Sequence, residues 1–150
     1  MLKYQLYGQI ERGINYDLCC YRYQCFCCCL IDENNASATV MVYKAIADGL
    51  ITPLYHQDIL QEYAEVLSRP KFKFSQQRIN AVLEMIVKYG VEVFPKPTGE
   101  ILIDMDDLIF YEVAMEKRED NSYLVTGNQK HYPIRDFIVT PAEMINILNK

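Results

Sequence analysis

From Ala38 onward, apolar residues recur first at helical spacing and then in short runs, over and over. That alternation limits the chain to βαβ units and a mainly parallel sheet covered by helices. Val42, Ala45 and Ile46 predict a helix over Ala38–Ala47 that ends at Gly49, a C′ glycine. Leu50–Tyr55 suits a buried strand. Ile59, Leu60, Tyr63, Val66 and Leu67 form one stripe of a helix over Asp58–Leu67, which Pro70 stops soon afterwards. Ser75 is an N-cap for a helix through Lys88 with Ile79, Val82, Leu83, Ile86 and Val87 inward, closed by Gly90. Val91–Phe94 predicts a strand, Asp107–Lys117 a helix, Ser122–Thr126 a strand and Ile138–Val139 a short last strand. Thr140-Pro141-Ala-Glu143 then combines a capping box with proline at N1, opening a helix to Leu148.

The first 35 residues break this regularity, and the first strand of the sheet cannot be placed from them. All six cysteines of the 150-residue chain fall there, between Cys19 and Cys29. Consecutive cysteines on an extended chain point alternately to opposite faces, so they cannot all reach one zinc ion. His56 and His131 show no finger-like spacing to them. Disulfide frameworks belong mostly to small secreted domains, and Arg22 and Gln24 interrupt the only stretch resembling a signal peptide. A cysteine-rich metal or redox domain is therefore the weakest of the readings.

The length fits a single domain over residues 1–150 with a real core, and 51% apolar and 23% charged residues are ordinary for a globular chain. No apolar run reaches the ~20 residues that span a bilayer, which points to a soluble, cytoplasmic protein. The net charge of −5 argues against broad attraction to nucleic acid. It leaves room for a nuclease whose carboxylates are filled by divalent cations, because bound ions invert the local field.

Three features could carry chemistry. Asp104-Met-Asp106-Asp107 starts a helix, where capping and the helix dipole alone explain one or two carboxylates. Glu62 lies mid-helix, and with Glu65 three residues on it reads by itself as a solvated edge. Leu124-Val-Thr-Gly127-Asn128 is an apolar strand running into a polar turn. In a parallel sheet these pieces can meet outside the carboxyl ends of the strands. Carboxylates gathered there repel one another unless neutralised, which Mg²⁺ or Mn²⁺ does through oxygen ligands.

At these residues the chain resembles a PIN domain. Glu62-Tyr63-Ala-Glu-Val-Leu67-Ser-Arg-Pro70-Lys-Phe72, Asp104-Met-Asp-Asp107 and Leu124-Val-Thr-Gly-Asn128-Gln-Lys-His131-Tyr-Pro carry the likeness, with Thr140-Pro141-Ala-Glu143 at the last strand-to-helix junction. The resemblance covers residues 36–148 and is nearest to bacterial PIN-family toxin components of toxin–antitoxin systems, similar to VapC-type ribonucleases. It implies an α/β/α three-layer sandwich and a metal-dependent endoribonuclease. The implied site is Glu62, Asp104 and Asp107, with Asn128 where many relatives place a fourth aspartate and Thr126 as a polar neighbour. It also implies Mg²⁺ or Mn²⁺, an RNA substrate, a cognate antitoxin and a homodimer. The alternative is a non-catalytic PIN-like module that binds an antitoxin or RNA.

One family motif is absent, an apolar first strand ending in Asp-Thr-Asn. The genetic code offers a reason. Shifted by one base, the codons from Cys20 onward permit Val-Ile-Asp-Thr-Asn-Val-Phe-Val-Ala-Ala, with the aspartate at the Arg22–Tyr23 junction. Residues 1–31 then stem from the wrong reading frame, and the cysteines are the shifted trace of valine and alanine codons. As written, the chain lacks the first-strand acid and is expected to be weakly active or inactive.

Overall fold

A computed structural model describes residues 17–21, as backbone only, and residues 37–150. Cys25, Cys27, Cys28, Cys29, Arg22 and Tyr23 lie outside the described residues, as do the zinc, disulfide and reading-frame expectations attached to them.

The sheet that the alternation predicts is present, and its first strand has a place. The described strands are β1 (Asp17–Tyr21), β2 (Ile51–Tyr55), β3 (Val91–Glu92), β4 (Ser122–Val125) and β5 (Ile138–Val139). They are ordered β3-β2-β1-β4-β5, and every registered pair is parallel. β1 is the middle strand, with Asp17 opposite Ile51 and Tyr21 opposite Val125. Its sequence, Asp-Leu-Cys-Cys-Tyr, has neither alternation nor a long apolar run, so its position comes from pairing on both sides rather than from local pattern.

The described helices are α1 (Ala38–Ala47), α2 (Gln57–Leu67), α3 (Gln76–Tyr89), α4 (Leu108–Glu116) and α5 (Pro141–Leu148). α1 packs on α5 and β2, α4 lies on β1, β2 and β4, and α2 sits between α3 and α4. Every residue of β2 and β5 is buried, as parallel strands covered on both faces require. The result is an α/β/α sandwich.

Local chemistry explains the boundaries. After α1, the Gly49 N–H donates to Ile46 O at 3.1 Å and the Leu50 N–H to Ala45 O at 2.8 Å. This is a Schellman closure, and it needs the φ of +77° that Gly49 adopts. At α5 the Thr140 hydroxyl accepts from the Glu143 N–H at 3.2 Å while the Glu143 carboxylate accepts from the Thr140 N–H at 2.7 Å. Ser75 caps α3 as expected, its hydroxyl accepting from the Arg78 N–H at 3.2 Å.

Two expectations need correction. Val87 is 47% exposed rather than inward. At 100° per residue it lies well off the stripe centred on Ile79, Val82 and Ile86, so only its neighbour Ile86 reaches the core. β3 is also shorter than Val91–Phe94. Val93 adds one more bond, its N–H donating to Tyr55 O at 2.8 Å, but Phe94 is 66% exposed.

Gly90 is where α3 turns into β3 against the edge of β2. A Cβ there would collide with the carbonyl oxygen of Ile86 and stand 2.8 Å from that of Pro53, both backbone atoms that cannot swing aside. Gly90→Ala is therefore expected to lower stability by about 1–3 kcal/mol through overpacking. Urea denaturation checks this, and an unchanged midpoint would contradict it.

Candidate functional site: a carboxylate–histidine cluster

β4 delivers its chain to the carboxyl edge of the sheet, and α4, which runs back before β4, starts at that same edge. The turns at these two ends build the cluster. Asp104 caps a 3₁₀ turn over Met105–Asp107, its Oδ1 accepting from the Asp106 N–H at 3.0 Å. The Asp107 N–H donates to the Asp104 carbonyl at 3.1 Å, closing the turn. One short turn therefore presents Asp104 half-buried and Asp107 fully buried, while Asp106 faces solvent.

The opposing wall is the exit from β4. Thr126 is fully buried, and its hydroxyl accepts from the Asn128 N–H at 3.0 Å, folding the chain over at Gly127. A second 3₁₀ turn, Gln129–His131, then brings residue 131 back over residue 128. Asn128 Nδ2 lies 3.0 Å from His131 Nε2, and His131 Nδ1 lies 3.1 Å from Asp107 Oδ2. With the Asn128 amide nitrogen facing the ring, Nε2 is placed to accept and Nδ1 to donate to Asp107. Gln129 pins the turn from behind, its Nε2 donating to Ile138 O at 3.0 Å and to Glu143 Oε2 at 3.2 Å. The α5 capping box and the cluster thus share a support.

The donor set suits a cation. Asp104, Asp107 and His131 each offer one ligand atom, and the three atoms lie within 4.8 Å of one another. Burying a carboxylate as completely as that of Asp107 is costly unless positive charge or strong hydrogen bonds offset the lost water. The His131 N–H supplies one such bond. A divalent cation at the same place would neutralise both aspartates.

The expected residues occupy the following places. Asp104 and Asp107 converge. Asn128 reaches the cluster through the imidazole, with its amide nitrogen turned to the ring. Thr126 holds the turn that carries Asn128. Glu62 is half-buried on α2, outside the three residues whose ligand atoms converge. Its helix is held beside α4 by Tyr63 against Phe110, ring centroids 6.0 Å apart. His131 is the residue that sequence reasoning missed as a participant. The available signal was its spacing, three residues after Asn128 in a polar turn beyond a buried strand.

A family model described as a PIN domain matches residues 27–130, a stretch that contains Glu62, Asp104, Asp107 and Asn128. Neither a curated protein nor a solved structure gives a match to the chain.

Proposed function

The chain belongs to the PIN domain family, and from that premise we propose that it is built as a metal-dependent endoribonuclease, the toxin component of a type II toxin–antitoxin pair. The observation that carries this reading is the buried Asp107 carboxylate, which meets Asp104 and His131 at the carboxyl edge of a parallel sheet. Asp104 and Asp107 would hold Mg²⁺ or Mn²⁺, with Glu62 as a further acid from α2 and Asn128 at the rim. The cation supplies charge for phosphoryl oxygens and makes a nucleophile of water at neutral pH. The protein's own share is placement: the 3₁₀ turn fixes the two aspartates, and the Thr126–Asn128–His131 turn walls the opposite side. RNA is the substrate and an antitoxin protein the partner, with a homodimer implied by the same family analogy. No helix among the described residues is long and apolar enough to cross a membrane.

The first-strand acid remains the gap. β1 ends at Tyr21, and the next junction in the sequence, Arg22–Tyr23, is where the shifted frame supplies aspartate. Tyr21 stands opposite Val125, whose successor is Thr126, so β1 ends at the carboxyl edge where the cluster lies. Asp17, at the other end of β1, cannot replace it. The codon pattern supports a frame error over residues 1–31, with weak or no activity in the chain as written. Sequencing the coding DNA tests that directly: codons without GAT or GAC across the Arg22–Tyr23 junction exclude it.

The same gap favours one second reading, a non-catalytic module that binds an antitoxin or RNA. In a chain whose first-strand aspartate is restored, the nuclease reading predicts RNA cleavage that EDTA abolishes and that Glu62→Ala and Asp107→Ala remove. If those substitutions leave the cellular phenotype intact, the binding module is the better account.

A further inference from the structure

The geometry points to His131 as a direct ligand of the cation, through Nδ1, and hence to a site that prefers Mn²⁺ over Mg²⁺. This rests on the metal-dependent reading above and adds to it a nitrogen donor in a site otherwise made of oxygens. His131 Nδ1 and Asp107 Oδ2 are 3.1 Å apart. Two neighbouring ligands on one octahedral ion, each about 2.1 Å from it, stand about 3.0 Å apart. The pair that shares a proton is therefore already spaced to share an ion, and Asp104 lies within reach as the third donor.

Asn128 makes the change of partner possible without moving the backbone. While Nδ1 donates to Asp107, the amide nitrogen of Asn128 donates to Nε2. When Nδ1 gives its lone pair to an ion, the ring proton sits on Nε2, and Asn128 accepts it by turning its amide over. Ligating histidines commonly have their second nitrogen held this way by an outer partner. Gln129, tied to Ile138 O and Glu143, keeps the turn in place meanwhile. An imidazole donor shifts selectivity away from Mg²⁺, which favours oxygen ligands and keeps its waters, toward transition metals.

Pulsed electron paramagnetic resonance of Mn²⁺ bound to the full chain reads this without an activity assay. The chain has two histidines, so protein labelled with ¹⁵N-histidine is compared with unlabelled protein. The expected result is a coupling from a directly bound imidazole nitrogen that changes with the label, survives His56→Asn and vanishes in His131→Ala. His131→Ala should also lower Mn²⁺ affinity by more than the roughly tenfold that loss of a ligand's outer hydrogen-bond partner costs, and lower Mg²⁺ affinity less. The labelled wild-type spectrum stands even if the variant fails to fold. Bound Mn²⁺ that couples only to oxygen ligands and water, or to His56, would overturn the role of His131 and leave a carboxylate site. No stoichiometric Mn²⁺ binding at all would overturn both this inference and the metal-dependent reading beneath it.

Discussion

Under the proposed metal-dependent reading, Asp107→Asn is expected to abolish stabilisation of this protein by divalent cations. A ligand that binds only the folded state at 100 times its dissociation constant adds about 2.7 kcal/mol. For a domain of this size each kcal/mol moves the melting temperature by roughly 2–4 °C, so saturating Mn²⁺ should raise it by about 5–10 °C. Asparagine keeps the shape of Asp107 but carries no negative charge to neutralise a cation at this fully buried position. Without cation the substitution should change stability little, because it removes a buried charge together with the charge-assisted bond from His131. Thermal denaturation with and without Mn²⁺ reads both effects. An undiminished shift in the variant would place the ion elsewhere.

Phe110→Ala should be the most damaging single change in the core, at about 3–5 kcal/mol. Phe110 has no exposed surface and packs against Tyr63, itself 2% exposed, where α2 meets α4. Native domains are stable by only about 5–15 kcal/mol, so this loss is a large share of the total. It also falls on the seam that sets Glu62 relative to the Asp104–Asp107 turn. Cation affinity should therefore weaken at temperatures where the variant is still folded. Phe94→Ala is the control, because Phe94 is 66% exposed, and it should shift stability by no more than about 0.5 kcal/mol. Urea denaturation that finds the two substitutions equal would refute the packing account.

The parts of the fold legible in the sequence are those written locally. Gly49 after α1, Ser75 before α3 and Thr140 with Glu143 before α5 each satisfy orphan backbone groups by short-range chemistry, and the structure shows each bond. β1 was not legible because nothing in Asp-Leu-Cys-Cys-Tyr marks it as a strand; two neighbours 30 and 100 residues away define it (roughly, by register). Val87 stays exposed because the five-residue apolar stripe is wider than the face that α3 buries. In the candidate site, Asp104 and Asp107 stood out as adjacent acids at a helix start. His131 did not, since its meeting with Asp107 depends on two 3₁₀ turns from distant segments closing on each other.

RNA cleavage by two chains, measured side by side in Mg²⁺ and Mn²⁺, decides whether this scaffold is a nuclease that lacks its first-strand acid. One is the chain as written, and the other has the Arg22–Tyr23 segment restored to the shifted frame with its aspartate. The restored chain should show EDTA-sensitive cleavage that Asp107→Asn removes, and the chain as written little or none. Equal, robust cleavage by both would contradict the missing-acid account, and a restored chain that binds the cation but leaves RNA intact would contradict the nuclease itself.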